Sequence, residues 1–243
     1  MQTSQSWINY FEMNARKQRV NWDLKPTITP EEVAAILPSL QAWQLGETSE
    51  GENLIKAATR YAWRTRDPDY VDAVRLFIKE EQKHGNNLGR YLDVIGEPRI
   101  QKDLGDSVFR KFRHFCSSME AWTLTVIVIE STAQIFYQAL KDATQCGLLQ
   151  QICTDILIDE AYHITFQTER LAIIYGSRSP FGKMWRKVFY KCFFFATSIV
   201  VWLAHKKLFI AGGNTFNGFI RKMHFKYLKT IDQITTPFLV ELA

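Results

Sequence analysis

The sequence predicts an all-α protein built on a bundle of long helices, and three observations carry that prediction. Turn residues are scarce: the 243-residue chain has 12 Gly and 7 Pro, too few for a sandwich or barrel that turns about every ten residues. No segment alternates apolar and polar residues for long enough to require a strand. Helix start and stop signals divide the chain into four helical segments of roughly 28–40 residues, followed by a further stretch, and that length suits a large bundle.

The elements follow in order. Thr29-Pro30-Glu31-Glu32 is a helix start, with a hydroxyl cap, Pro in the first turn and acids against the helix dipole. Pro38 restarts that helix, which is expected to run to about Arg64. Asp67-Pro68-Asp69 opens the second helix by the same logic, and Gly96-Glu97-Pro98 closes it. A polar link reaches Asp106 or Ser107, where a third helical pattern begins and continues to Cys146. Gly147 breaks it, and the fourth helix occupies 148–175, stopped by Gly176 and Pro180. The expected organisation is therefore an N-terminal extension over 1–28, a four-helix bundle over 29–176 and a basic, aromatic-rich helical extension over 177–243. Within the last, 188–204 carries Lys191 as its one charge. It is expected to form a fifth helix packed on the bundle, burying Phe193, Phe194, Phe195 and Trp202.

Composition excludes several classes. Hydrophobic residues make up 47% and charged residues 23%, which is globular and not disordered or low-complexity. Cys116, Cys146, Cys153 and Cys192 show no CxxC spacing and are expected as free thiols, not a zinc site. The first 25 residues lack the pattern of a secretory signal. A cytoplasmic protein is the expectation. The net charge of +5 hides an asymmetry, because 181–230 holds ten cations and no acid. That region is expected either to be a solvated surface or to meet an acidic partner: an anionic membrane surface or an acidic carrier protein, with no nucleic acid expected.

Carboxylates placed among apolar residues point to chemistry. In the third helix Glu130 has Val126 and Ile127 a turn before it and Ala133 a turn after, a face on which an ionised group is costly unless a cation meets it. Glu160-Ala-Tyr-His163 and Glu81-Gln-Lys-His84 place a Glu and a His three apart, on one face of the fourth and second helices. Residues that face each other across a helical hairpin are equidistant from its turn. The midpoint of Glu130 and Glu160 is residue 145, beside the Cys146-Gly147 break. In the first hairpin Glu47, Glu50 and Glu52 compete as partner of Glu81, and only Glu52 places the midpoint on the Arg66-Asp67 boundary. The expected set is thus Glu52, Glu81, His84, Glu130, Glu160 and His163, with Glu47 and Glu50 outside it. Oxygen donors with some imidazole suit iron or manganese, and four carboxylates offset the charge of two divalent ions. No Cys stands among these positions, as a structural zinc site would favour.

At these residues the sequence resembles the ferritin-like diiron carboxylate superfamily over about residues 40–175. The six donors correspond to that superfamily's ligands. Within it the chain looks most similar to the aldehyde-deformylating oxygenases, through Glu50-Gly51-Glu52 and the stretch His84-Gly-Asn-Asn-Leu-Gly. Other members fit less well. Ile156 stands where arylamine N-oxygenases have an extra His, and Ala133 and Gln134 stand where hydrocarbon monooxygenases and acyl-carrier desaturases have a Thr. Tyr137 and Tyr162 are near the motifs but off the spacing that a radical-forming reductase subunit needs.

The resemblance implies a ferritin-like bundle holding two Fe ions, or Mn/Fe, with O₂ as co-substrate. The expected activity is that of a dimetal oxygenase or oxidase on a hydrophobic substrate, fatty-acyl-derived or an aldehyde. Iron oxidation and storage is the alternative. Electrons are expected from a separate donor protein, since the chain has no ferredoxin, flavin or nicotinamide motif. Cations and aromatics near the C-terminus would place the protein in the cytoplasm or peripherally on the inner face of a membrane.

Overall fold

A computed structural model of the chain describes residues 1–102 and 118–236. Among them are α1 (Ser4–Ala15), α2 (Pro30–Glu47), α3 (Glu52–Thr65), α4 (Asp69–Val94), α5 (Met119–Asp142), α6 (Gly147–Gly176), α7 (Pro180–Ala211) and α8 (Phe216–Thr235), with no strand. The all-α prediction holds. The expected start of the third helix at 106–107 lies outside the described residues, as does Cys116; the described part of that helix begins at Met119, where the Ser118 side chain accepts from the Ala121 N–H.

Local chemistry explains the boundaries. Thr29 and Glu32 form a reciprocal capping box at the start of α2. Pro38 neither ends nor restarts that helix, which runs on to Glu47. The break comes later, at residues 48–51, where Gly51 takes a left-handed φ of +67° that costs glycine little. The first arm of the bundle is therefore two helices, α2 and α3, instead of the single one expected.

The bundle packs α2 and α3, α4, α5 and α6 around two apolar clusters. One is centred on Leu88, Tyr91, Ile127, Phe136 and Ile156. The other holds Phe77, Ile78, Trp122, Val126 and Phe166. Both flanking regions contribute to these cores. From α1, Trp7 and Phe11 are buried in the second cluster, and the Trp7 indole donates to Glu169 at 2.9 Å. From α7, Phe194 and Trp202 are buried as expected, while Phe193 and Phe195 are half-buried. Trp202 stacks on Phe209, with ring centroids 5.5 Å apart. The buried Glu120 of α5 ties α7 down: it accepts from the Tyr190 hydroxyl at 2.6 Å and pairs with Arg186 at 3.0 Å. Of the described cysteines, Cys146, Cys153 and Cys192 are free thiols.

The turn between α7 and α8 presses directly on α5. A Cβ at Gly212 would lie 2.4 Å from the Ala139 carbonyl oxygen and 2.7 Å from its Cα, and backbone cannot swing aside. Gly212→Ala is expected to destabilise the fold by about 1–3 kcal/mol. Gly46→Ala, inside α2 with nothing within 4 Å of the new methyl, is expected to stabilise it by up to about 1 kcal/mol. Thermal unfolding of the two variants beside the parent checks both signs.

Candidate metal centre

A cluster of polar side chains interrupts the apolar interior. On α4, Glu81 and His84 fall between Ile78 of one cluster and Leu88 of the other; on α5, Glu130 falls between Val126 and Ala133; on α6, Glu160 and His163 fall between Ile156 and Phe166. Helical spacing thus aims five donors inward at one level. Glu160, His84 and His163 are wholly buried, and Glu130 is 4% exposed.

The donors form two groups, Glu81 with Glu130, Glu160 and His163, and Glu47 with Glu81 and His84, each with its ligating atoms within 4.8 Å of one another. Glu81 belongs to both. Glu160 also reaches both halves, with Oε1 3.8 Å from the His84 Nδ1 and Oε2 3.6 Å from the His163 Nδ1. The arrangement is two half-sites, each with its own imidazole and one terminal carboxylate, sharing two carboxylates between them.

Five of the six sequence-predicted residues meet here. Glu52 does not. It begins α3, its side chain is 68% exposed, and it pairs with Lys56 at 3.4 Å. Glu47, excluded on hairpin spacing, takes the sixth place, and Glu50 is exposed. The spacing argument fails because it assumes that both arms of the hairpin advance equally per residue. The four-residue break at 48–51 uses up chain without advancing along the bundle, so a residue five positions earlier stands opposite Glu81. Thr48-Ser49-Glu50-Gly51 is a turn-like stretch, and reading it as a break would have found Glu47. Gly85, next to His84, lets that end of α2 come close: a Cβ there would lie 3.1 Å from the Glu47 Cβ. The Glu47 Oε1 accepts from the Tyr137 hydroxyl at 2.7 Å and from the Trp43 indole at 2.8 Å, which fix the carboxylate in place.

A second set of carboxylates, which spacing alone did not single out, holds the histidines. The His84 Nε2 meets Asp159 at 3.1 Å, and the His163 Nε2 meets Glu80 at 2.8 Å. Each Glu-x-x-His pair is preceded by an acid that serves the histidine of the other helix. Glu80 and His84 are one turn apart on α4, and Asp159 and His163 are one turn apart on α6, so the reciprocity requires the two helices to run antiparallel. The signal was present as a doubled acid before each pair, Glu80-Glu81 and Asp159-Glu160. Asn14 of α1 donates to both outer acids, at 2.5 Å to Glu80 and 2.8 Å to Asp159. Arg19 pairs with Asp155 and Asp159, and Lys83 reaches the same two acids from outside.

With each Nε2 engaged by a carboxylate, each Nδ1 faces the centre and its carboxylates. Both Nδ1 atoms, Glu81 Oε1 and both Glu160 oxygens are buried and find no hydrogen-bond partner outside this cluster, in which the His163 Nδ1 lies 2.6 Å from the Glu81 Oε1. Unmade hydrogen bonds at buried polar atoms cost about 1–3 kcal/mol each. Their convergence is the signature of a donor set built for cations, and oxygen with imidazole nitrogen is the mixture that iron and manganese accept.

Charge crowding is visible in the acidities. Burial pushes the Glu130 carboxyl well above the usual range, and Glu160 and Glu81 add to it. Glu47 is raised in the same way, by burial and by Glu81. Burial also opposes charge on Glu81, but His163 and His84 hold it down, at about 2. His163, penalised by burial, is nevertheless raised well above its ordinary value by Glu81, Glu160 and Glu80.

Beside the donors lies a cavity of about 850 Å³. Glu47, Glu81 and Glu130 form its polar end, and Phe77, Ile78, Trp122, Val126 and Ile129 line its walls. Its rim includes Glu50 and Glu52 on one side and Val200 and Ala204 of α7 on the other.

No protein-family model matches the chain, and no curated protein sequence does. Solved structures do. An R2-like ligand-binding oxidase with aerobically reconstituted Mn/Fe cofactor matches with a TM-score of 0.63 and 14% identity, over 96% of this chain and 92% of that one. Two variants of an R2-like ligand-binding oxidase, also with aerobically reconstituted Mn/Fe cofactor, match with TM-scores of 0.66 and 0.65 at 13% and 16% identity, each over 96% of this chain and 94% of the other. At such identities the likeness is one of fold, and it establishes a ferritin-like four-helix bundle with additional C-terminal helices.

The crowding has a testable consequence in metal-free protein. A carboxyl whose pKa in the folded state lies above the ordinary value of 4.5 favours the fold while it is protonated. That contribution is complete below the unfolded value and is lost as pH rises toward the folded one. Glu130→Gln removes the dependence. The metal-free variant is therefore expected to melt increasingly above metal-free parent as pH rises from about 5 to 8, by at most about 1.4 kcal/mol per pH unit. Calorimetry of chelator-treated protein across that range checks it; a gap that narrows with pH would refute the assignment.

Proposed function

We propose that the chain is a non-haem dimetal oxidoreductase, an O₂-activating oxidase or oxygenase, with Glu47, Glu81, His84, Glu130, Glu160 and His163 as its metal ligands. The observation that supports this most directly is the convergence of buried Nδ1 and carboxylate atoms, with no hydrogen-bond partner outside their own cluster, between two histidines whose far nitrogens are already engaged. Two Fe ions, or one Mn and one Fe, fit such a set. In the reduced state they would supply electrons to O₂, replenished by a separate donor protein.

The protein's own part is to hold, orient and exclude. Glu81 and Glu160, which reach both groups of donors, would hold the ions together with Glu47 and Glu130, each of which belongs to one group; Asp159 and Glu80 orient the imidazoles and raise their basicity. Tyr137 and Trp43, by donating to one oxygen of Glu47, leave its other oxygen for the centre. The apolar walls of the cavity keep water from the reacting face and admit a hydrophobic molecule, and about 850 Å³ suits one of drug or lipid-fragment size. The substrate is thus proposed as an apolar molecule with its reactive carbon near Glu47 and Glu130. The likeness to aldehyde-deformylating enzymes loses one support, because Glu50-Gly51-Glu52 sits at the rim and not among the donors. An apolar cavity opening on the donors favours this reading over iron storage.

Metal analysis of protein grown with iron and manganese, combined with O₂ uptake after reduction, tests the reading. About two ions per chain are expected. Glu47→Ala is expected to retain at most about one, while Glu52→Ala, altering an exposed ion pair, keeps both and its O₂ uptake. Asp159→Asn or Glu80→Gln should weaken metal binding by about 10–100-fold. A parent protein that binds no transition metal would sink the proposal, and a large multimeric shell in size-exclusion chromatography would favour storage.

A further inference from the structure

The long helix α7 has two unlike faces. Tyr190, Phe194, Ser198, Trp202 and Phe209 are buried against the bundle. On the opposite side Phe181, Trp185, Val188, Ile199 and Leu203 are 68%, 59%, 52%, 45% and 68% exposed. These residues recur at helical spacing and form one apolar stripe about 33 Å long. An exposed apolar strip of this length on a globular protein marks an interaction surface.

Charge indicates what covers it. Lys187, Lys191 and Lys206 are exposed on the same helix, and no Asp or Glu occurs anywhere from 181 to 230. A second copy of the chain would oppose these cations with their own kind. An acidic carrier protein would satisfy the cations but leaves the row of aromatic and aliphatic side chains unexplained. Cations beside an apolar stripe on one helix are the pattern of a helix lying in the interface of an anionic bilayer, with rings among the acyl chains and ammonium groups at the phosphates. By length and composition α7 could cross a membrane. Its inner face prevents that, because Tyr190 and Arg186 are tied to the buried Glu120 of α5.

The geometry points to the exposed face of α7 as a docking surface for anionic lipid membranes, on which the protein lies with its cavity mouth at the lipid boundary. Val200 both extends the exposed face, at 60% exposure, and lines the cavity, as Ala204 does one turn on. Glu50 and Glu52 on the facing lip keep that side of the mouth toward water. An apolar molecule could then pass from the bilayer to the donors without crossing the aqueous phase. That last consequence rests on the proposed apolar substrate; attachment itself does not.

Co-sedimentation of the full-length chain with phosphatidylcholine vesicles, with and without phosphatidylglycerol, tests attachment separately from metal content or turnover. Binding is expected only with phosphatidylglycerol at low ionic strength, weakening steeply as salt shortens the screening length, and reversed by an alkaline wash. Trp185→Ser with Leu203→Ser, and separately Lys187→Glu with Lys191→Glu, are each expected to weaken it by about tenfold or more. Circular dichroism and bound metal should remain at parental values in these variants. Protein that stays in solution with anionic vesicles at low salt would overturn the proposal. So would equal binding to phosphatidylcholine alone, resistance to the wash, or a concentration-dependent dimer that the Trp185 and Leu203 changes dissolve.

Discussion

Negative charge confined to the middle of an apolar bundle is the constraint on which the rest of this structure depends. Four carboxylates and two imidazoles meet in an interior otherwise formed by two hydrophobic clusters. Without compensation, carboxylates at such depth give up their charge, as the raised pKa values of Glu47 and Glu130 show. The chain answers from outside inward. Arg19 and Lys83 steady Asp155 and Asp159, Asp159 and Glu80 steady the imidazoles, and the imidazoles turn their Nδ1 atoms to the central carboxylates.

That dependence explains the place of the N-terminal helix. Its residues look like an extension to a bundle that could close without them. In the folded chain Trp7 and Phe11 fill one of the two cores, and Asn14 spans the outer carboxylates of both histidines. A neutral amide suits this position, since it donates to two acids without adding a charge that would compete for them. The C-terminal helices are integrated in the same way. Tyr190 and Trp202 anchor α7, and the contact of Gly212 with Ala139 closes its far end on α5.

The same helix gives the cavity its fourth side. Residues of α2, α3, α4 and α5 form the polar end and most of the walls, and α7 adds Val200, Val201 and Ala204. A bundle of four helices alone would leave this flank to solvent, exposing Glu47 and Glu130 to water. Adding α7 closes that flank with Thr197, Val200, Val201, Ala204 and His205 and brings the mouth beside the outer face of the helix.

Much was legible in the sequence itself. Scarce turn residues and long helical patterns determined an all-α bundle, and the repeated Glu-x-x-His with the apolar flanks of Glu130 determined five of its six central donors, because helical periodicity is local and aims a residue inward whatever the tertiary detail. The sixth donor depended on how far each arm of a hairpin advances. That quantity is not local: it changes when four residues between α2 and α3 leave the helix, and it moved the site from Glu52 to Glu47. The partners of the histidines also needed the third dimension, since an acid one turn from its own helix's histidine finds its role only once the facing antiparallel helix brings the other histidine to it. Which face of α7 is buried was likewise decided by packing, because both of its faces are apolar and periodicity cannot choose between them. Sequence determined which side chains could do chemistry, and tertiary structure decided which of them meet, because equal residue counts become equal distances only along unbroken helices.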